Sequence, residues 1–252
     1  MCYFAAEFFF QMQLFYQADI DKGSLFLDSE EARHAAKVLR KNAGDLLHVT
    51  DGKGNLYEVQ ITQITYERCL FRVLGVKNTA PPPFLHIAVA PTKNLDRFEW
   101  LVEKCTEFGV THITPLLTQR CELRQHIKLE RLQKIAAAAM KQSLKYHLPL
   151  IQPALDLAAF LRQYGNDALP SSEVEQRFIA YIETPPPPHL KSCYVAPLPV
   201  CVLIGPEGDF TEAEVAACEA HGFERVSLGG SRLRTETAAI AACHLIQVLR
   251  EQ

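Results

Sequence analysis

The sequence has 252 residues, 48% hydrophobic and 22% charged, with a formal net charge of −3 at pH 7. That is the composition of a globular protein with length for one large domain or two ordinary ones, and no apolar run approaches the roughly 18 residues of a membrane span. The eight cysteines show no C-x-x-C and no Cys/His ligand spacing, so they read as reduced, mostly buried thiols of a cytoplasmic protein rather than disulfides or metal ligands.

Residues 1–11, MCYFAAEFFFQ, are apolar but lack the basic start and small-residue cleavage site of a signal peptide. The expectation is an upstream extension with no role in the fold, the chain proper beginning at Met12. The next stretch reads β-rich with one helix. SLFL (24–27) is a short strand, and Ser29 is the expected N-cap of a helix with Glu30 and Glu31 in its first turn. That helix is expected to run through EARHAAKVLRK to a stop near Asn42 and Gly44, with His34, Lys37 and Arg40 on one face. LLHVTDGKGNLYEVQI (46–61) predicts a hairpin around Asp51-Gly52 and Lys53-Gly54, and RCLFRVLGV (68–76) a further strand. This content fits a small barrel-like domain over 12–80. NTAPPP (78–83) reads as a stiff linker, because consecutive prolines hold an extended chain and cannot join a helix.

From 84 to 252 strands and helices alternate, which predicts an α/β domain with a mostly parallel sheet. FLHIAVAP (84–91) is a buried strand, followed by a helix from Asn94 to Phe108 closed by Gly109. THITPLL (111–117) is a strand, residues 128–145 a helix that stops before Pro149, and a short helix follows Asp156. RFIAYIE (177–183) is a strand, ETPPPPH (183–189) a loop, and VCVLI (200–204) a strand. Thr211 and Glu214 form a capping box for a helix over 211–221. RVSLGG (225–230) is the last strand and residues 235–251 the terminal helix.

The charge is uneven. Residues 12–80 hold nine basic and nine acidic side chains, residues 91–147 ten and six, and residues 148–230 four and eleven. The acidic total therefore does not exclude nucleic acid, because local basic surface sets attraction for phosphate. Lys93, Arg97 and Arg120 of the basic stretch, with His34 and Arg40, are the candidate RNA contacts.

Gly205-Pro206-Glu207-Gly208, between a strand and a helix, looks like a nucleotide loop. A phosphate cradle needs backbone N–H groups, usually beside a lysine. Pro206 has no N–H, Glu207 and Asp209 would repel phosphate, and no Gly-Lys-Ser/Thr follows. The turn therefore suits a ligand that is neutral or cationic where it meets the loop. A second glycine turn, Gly229-Gly230, also follows a strand, and ligands of open α/β sheets sit at the carboxyl ends of strands. Ordinary connecting turns are the plain alternative. SRLRTETAAIAA (231–242) brings Arg232, Arg234, Thr235, Glu236 and Thr237 to a helix start. Such residues are often only caps, although the alanines that follow indicate close packing.

IGPEGDF, the Leu228-Gly229 pair and LRTETA (233–238), with HAAKVLR (34–40), DGKGNLY (51–57), RFEWLVEKCTEFGV (97–110), ITPL (113–116) and KQSLK (141–145), resemble the ribosomal RNA small subunit methyltransferase E family over essentially residues 12–252. The resemblance implies a PUA-like β-barrel followed by a SPOUT methyltransferase domain, whose C-terminal chain threads a trefoil knot. It also implies a homodimer, S-adenosyl-L-methionine as cofactor, and methylation of the N3 of a uridine in 16S rRNA. Cofactor contacts then fall on Leu203, Ile204, Gly205, Pro206, Glu207, Gly208, Leu228, Gly229, Leu233, Arg234, Thr235 and Thr237. The cofactor's sulfonium cation suits a loop with Pro206 and Glu207. Arg234, always charged, is the candidate for stabilising charge on the uracil oxygens, and Glu236 is the candidate proton acceptor, with capping or cofactor positioning as an equal alternative.

Four departures touch substrate contacts more than the cofactor. The family's Gly-Gly-Phe is Gly208-Asp209-Phe210 here, its common arginine is Ser231, its frequent Glu is Lys141, and its Glu-Arg-Ser is Gln119-Arg120-Cys121. The rival readings are a SPOUT enzyme acting on another RNA or atom, a non-catalytic dimeric RNA-binding protein, and a nucleotide-dependent enzyme, the last disfavoured by the missing phosphate cradle.

Overall fold

The computed structural model describes residues 12–122, 127–165 and 174–251, so the expectation about residues 1–11 lies outside the described residues. The chain divides into two compact units. One holds the described residues up to Pro81 together with Ala137–Leu148, the other Pro82–Ala136 with the chain from Pro149 onward.

The N-terminal unit is a five-stranded sheet in the order β1 (Leu14–Tyr16), β3 (Leu46–Thr50), β4 (Asn55–Ile64), β5 (Cys69–Asn78), β2 (Phe26–Leu27). β1 runs parallel to β3 and the other pairs are antiparallel. Alternate residues point inward, so Leu47 and Val49 meet Val59, Ile61 and Phe71, with Phe15 and Leu27 closing the core. β1 was not expected, because three residues are too few for a periodic signal.

The helix expected from Ser29 onward differs from expectation at both ends. α1 (Ser29–Arg33) is capped by Asp28, not Ser29: the Asp28 carboxylate accepts from Glu30 N at 3.1 Å and Glu31 N at 3.2 Å. The helix widens into a π turn over His34–Val38, in which Leu39 N donates to His34 O. Arg40 then takes a left-handed conformation, φ 54°, so it stands beyond the helix and does not share a face with His34 and Lys37.

The β3–β4 turn is built on Asp51, which is 2% exposed. Its carboxylate accepts from Lys53 N (2.8 Å), Asn55 N (3.2 Å) and Asn55 Nδ2 (2.6 Å), the local bonding that favours Asp in turns. Residues 137–148 join this unit through the same turn, where Leu148 N donates to Gly52 O and Gly54 N to Tyr146 O.

The second unit alternates β6 (Leu85–Val89), α2 (Leu95–Phe108), β7 (His112–Leu117), α3 (Leu129–Gln142, whose last turns belong with the first unit), β8 (Leu150–Ile151), β9 (Leu155–Asp156), α4 (Leu157–Tyr164), β10 (Gln176–Ala180), α5 (Leu190–Cys193), β11 (Val200–Ile204), α6 (Glu212–Ala220), β12 (Glu224–Val226) and α7 (Thr235–Arg250). Its sheet runs β12-β10-β11-β6-β7-β8, with every pair parallel and β9 beside β7. The expected α/β architecture with a mostly parallel sheet behind a small β-rich unit is therefore present. β6 and β11 are buried along their whole length, which explains why β11 is wholly apolar and β6 apolar except at His86.

Local chemistry sets the helix ends. The Asn94 side chain accepts from Asp96 N, and Gly109 at φ 87° closes α2. Thr211 and Glu214 cap α6 reciprocally. α7 is fixed at its far end by Arg250, which donates to the carbonyls of Pro83 and Phe84 and to Tyr194 Oη. β10 stops at Ala180 rather than 183, and β12 at Val226 rather than 230. Both chains leave the sheet early to form the walls of a cavity.

Candidate active site

The carboxyl ends of β10, β11 and β12 open into a cavity of about 610 Å³, within the 300–1,000 Å³ range of small-molecule sites. The chain after β11 forms one wall. Gly205 is tightly enclosed, since a Cβ there would lie 3.0 Å from the Phe210 ring and 3.1 Å from Asp209 Oδ1. Asp209 sits at φ 60°, where Asp is tolerated better than most residues, and its carboxylate ties two loops together. Oδ1 accepts from Phe210 N at 2.8 Å and Oδ2 from Ile182 N at 3.1 Å. Burial pushes this carboxyl above its usual range, while those two bonds and the charges of Arg120 and Arg232 pull it back.

Two further clamps fix the loop. Arg120 Nη1 donates to Gly208 O at 2.6 Å and to Phe210 O at 3.3 Å. The buried Glu214 carboxylate accepts from Gln119 N at 2.7 Å and Thr211 N at 2.8 Å. The chain after β12 forms the facing wall. Ser227 Oγ accepts from Gly229 N at 3.0 Å, and Gly229 adopts φ 116°, a conformation that favours glycine. The buried Thr235 at the start of α7 donates its hydroxyl to Gly205 O at 3.0 Å, tying that helix to the first glycine turn.

Of the residues expected at the cofactor, Ile204, Gly205, Pro206, Glu207, Gly208, Leu228, Gly229, Leu233 and Thr235 line this cavity. Leu203 does not: it alternates to the other side of β11 and packs in the core. Arg234 and Thr237 are exposed at the start of α7 and lie outside the wall. Arg234 is the N-cap of α7 through its backbone, and its side chain makes no hydrogen bond or ion pair among the described residues. Glu236 is 5% exposed and turns toward α2, where Arg97 Nη1 lies 3.6 Å from Oε1, and Oε2 has no hydrogen-bond partner among the described residues.

The sequence reading missed Tyr181, Ile182, Glu183 and Pro186, which follow β10, and also Asp209 and Arg232. A usable signal existed, because ETPPPPH follows a strand whose carboxyl end belongs at the ligand face. Among the described residues the wall carries no lysine, and its charges are Glu183, Glu207, Asp209 and Arg232. With Ile204, Leu228, Leu233 and Ala238 as apolar surface, it suits a flat apolar ring system attached to a group that is not anionic at the Glu207 loop.

The RNA candidates are scattered over both units. Lys93 is ion-paired with Glu122 at 2.7 Å and Arg97 with Glu236. Arg120 has its guanidinium bonded to the cavity loop. His34 and Arg40 are exposed in the N-terminal unit. No group of three or more His, Cys, Asp or Glu among the described residues could hold a metal, and no helix there is long and apolar enough to cross a membrane.

Comparison with known proteins gives this geometry a setting. The RNA methyltransferase domain family matches residues 80–247, and the RNA methyltransferase PUA domain family matches residues 27–74. Ribosomal RNA small subunit methyltransferase E of a Synechocystis strain is 31% identical over 235 residues, covering 92% of this chain and 75% of its own. The chain belongs to the ribosomal RNA small subunit methyltransferase E family. A probable rRNA-methyltransferase from Porphyromonas gingivalis superposes with a TM-score of 0.86 at 38% identity, over 95% of this chain and 99% of that one. The Neisseria gonorrhoeae ribosomal RNA small subunit methyltransferase E, solved bound to S-adenosyl methionine, gives 0.81 at 28% identity, over 95% and 98%. Membership makes the chain an RNA methyltransferase acting on small-subunit rRNA, and places its N-terminal sheet in the PUA class.

Proposed function

We propose that this protein uses S-adenosyl-L-methionine to methylate the N3 of a uridine in 16S rRNA, working as a cytoplasmic homodimer. The observation that carries the reading is the cavity at the ends of β10, β11 and β12, lined by two glycine turns, the first tied by Thr235 to the start of α7, with carboxylates where a phosphate-binding loop would have donors. Its residues fit the cofactor: Ile204, Leu228, Leu233 and Ala238 offer apolar surface for the adenine, and Glu183 and Glu207 offer anionic charge for the sulfonium end. The relative from Neisseria gonorrhoeae is solved with that molecule bound. The order β10-β11-β6, with the first residue of α7 bonded to Gly205 just beyond the end of β11, supports the knotted arrangement that the resemblance implies.

When bound, the cofactor supplies a methyl group made electrophilic by the sulfonium. The protein's own task is to hold the uracil in line and accept the change of charge. Loss of the N3 proton leaves negative charge on the uracil oxygens. Arg234, exposed and without an ion-pair partner among the described residues, is the cation we assign to that charge. Glu236 is the carboxylate we assign to the proton, with one oxygen beside Arg97 and the other without a hydrogen-bond partner among the described residues. Alignment of the reacting groups contributes on the order of 7–11 kcal/mol at best.

Mapping N3-methyluridine in 16S rRNA from cells with and without the gene tests the reaction. Loss of one such nucleotide, restored by the wild-type gene and not by Arg234→Ala, is the expected result. An unchanged map rejects the N3 assignment. Calorimetry with the cofactor and its demethylated product tests the cavity, and absence of heat from both rejects the enzyme reading.

A further inference from the structure

The N-terminal unit has a cavity of its own, about 1100 Å³, between α1 with its π turn and residues 138–144. At its floor Lys141 is ion-paired with Glu31, their side chains 26% and 13% exposed. Burial raises the Glu31 carboxyl and Lys141 draws it back down, so the floor adds no net charge. The rim is different. Arg33 and Lys37 are exposed and make no ion pair among the described residues, with Glu30 the one rim carboxylate beside them. His34 is exposed too, its ring held against the buried Phe15 at 5.9 Å between centroids with the two planes tilted 60°. Val38, 63% exposed, supplies apolar wall, and Gln13 and Gln142 supply amides.

These groups match the parts of one nucleotide. Unpaired cations attract the phosphates on either side of it. An exposed imidazole held against an aromatic ring is a surface on which an unstacked base lies flat. An amide carries both donors and an acceptor, as the edge of a base requires. The π turn adds a residue per hydrogen-bonded turn, which places Arg33, His34, Lys37 and Val38 all on the cavity. Such turns recur at functional sites. An acidic peptide would use the cations but not the ring, the apolar wall or the amides, and Glu30 would repel it.

We infer that this cavity receives a single unpaired nucleotide of the rRNA substrate, its base against His34 and Val38 and its phosphates at Arg33 and Lys37. The inference rests on the proposed function and adds a base-accepting socket to it.

The test is an abasic scan of a 16S rRNA fragment that the wild-type protein binds and methylates. One position should lose affinity about tenfold when its base is removed, the scale of a lost stacking contact. Val38→Trp fills the mouth at an exposed position. It should bind the intact RNA about tenfold more weakly and become indifferent to the abasic change at that position. His34→Ala should show the same indifference, and Lys37→Ala should lower the slope of log affinity against log salt by about 1. Circular dichroism and cofactor heat, both unchanged, confirm that the variants fold. A wild type that methylates rRNA yet shows no abasic-sensitive position overturns the socket alone, as does an unaltered abasic profile in Val38→Trp. Binding of an oligoglutamate peptide that Val38→Trp abolishes, with RNA binding untouched, also overturns it. A wild type that binds cofactor but neither binds nor methylates rRNA overturns the proposed function as well.

Discussion

Acid should weaken the second unit through one histidine. His86 lies on β6 with no exposure, its Nε2 2.8 Å from Thr114 Oγ1 and its Nδ1 without a hydrogen-bond partner among the described residues. Its ring is enclosed by Phe84, His112, Phe160 and Tyr164, with centroids 4.7–6.0 Å away. Burial, and then the charge of neighbouring His112, hold its pKa well below 6.5. The native state therefore refuses a proton that the unfolded chain accepts. The stabilisation is complete above pH 6.5 and is lost as pH falls from there toward the folded value. The slope is about 1.4 kcal/mol per pH unit for one proton over that window. Urea unfolding at a series of pH values measures it, followed by the fluorescence of Trp100, the single tryptophan, on α2 of that same unit. His86→Leu changes the starting stability but should flatten the pH dependence by about that slope. Equal slopes in the two proteins would refute the reasoning.

Three substitutions test other parts. Gly54 has φ 101°, and a Cβ there would lie 2.7 Å from His147 Nε2 and 2.9 Å from Thr79 O. Gly54→Ala should therefore lose about 2 kcal/mol or more in urea unfolding, against about 1 kcal/mol for Gly44→Ala, whose φ is 97° but whose surroundings are open. Thr235→Val leaves the carbonyl of Gly205 without its donor. It should cost about 1–3 kcal/mol in thermal unfolding and weaken cofactor binding by calorimetry. Arg234→Ala should lower kcat and kcat/KM alike by roughly 10²–10³, with cofactor heat and melting temperature unchanged. A normal single-turnover rate would remove Arg234 from the chemistry, and a rise in KM alone would make it a phosphate contact.

Several local causes were displayed in the sequence, although the cap of α1 fell one residue earlier than read, on Asp28. The capping box of Thr211 and Glu214 spans three residues, and the Asn94 and Gly109 ends of α2 are single side-chain and backbone effects. β11 is apolar throughout, and β6 is apolar except at the buried His86, because both faces are buried. What sequence patterning could not display depends on residues far apart in the chain. Residues 137–148 read as a helix and its end, but backbone bonds to Gly52 and Gly54 attach them to the first unit. Arg120 read as a phosphate contact because its charge was visible, while its partners, the carbonyls of Gly208 and Phe210, stand 88 and 90 residues away.

The departure at Asp209 brings the two kinds of information together. Where the family reads Gly-Gly-Phe, this chain puts a carboxylate into the cavity loop, which on sequence alone looks like a cost to ligand binding. The backbone there is at φ 60°, the conformation that explains a glycine at this place. An aspartate can adopt it with less strain than most side chains. It also returns something a glycine cannot, since Oδ2 accepts from Ile182 N and Oδ1 from Phe210 N. Ile182 and Asp209 belong to the chains that follow β10 and β11, the adjacent parallel strands whose ends form the cavity floor. The substitution therefore exchanges backbone freedom for a tie between two walls of the site, and Arg120 and Arg232 stand near enough to offset its charge. The loop keeps the shape that the Gly-Pro-Glu-Gly turn requires, and it is held there by a side chain instead of by the absence of one.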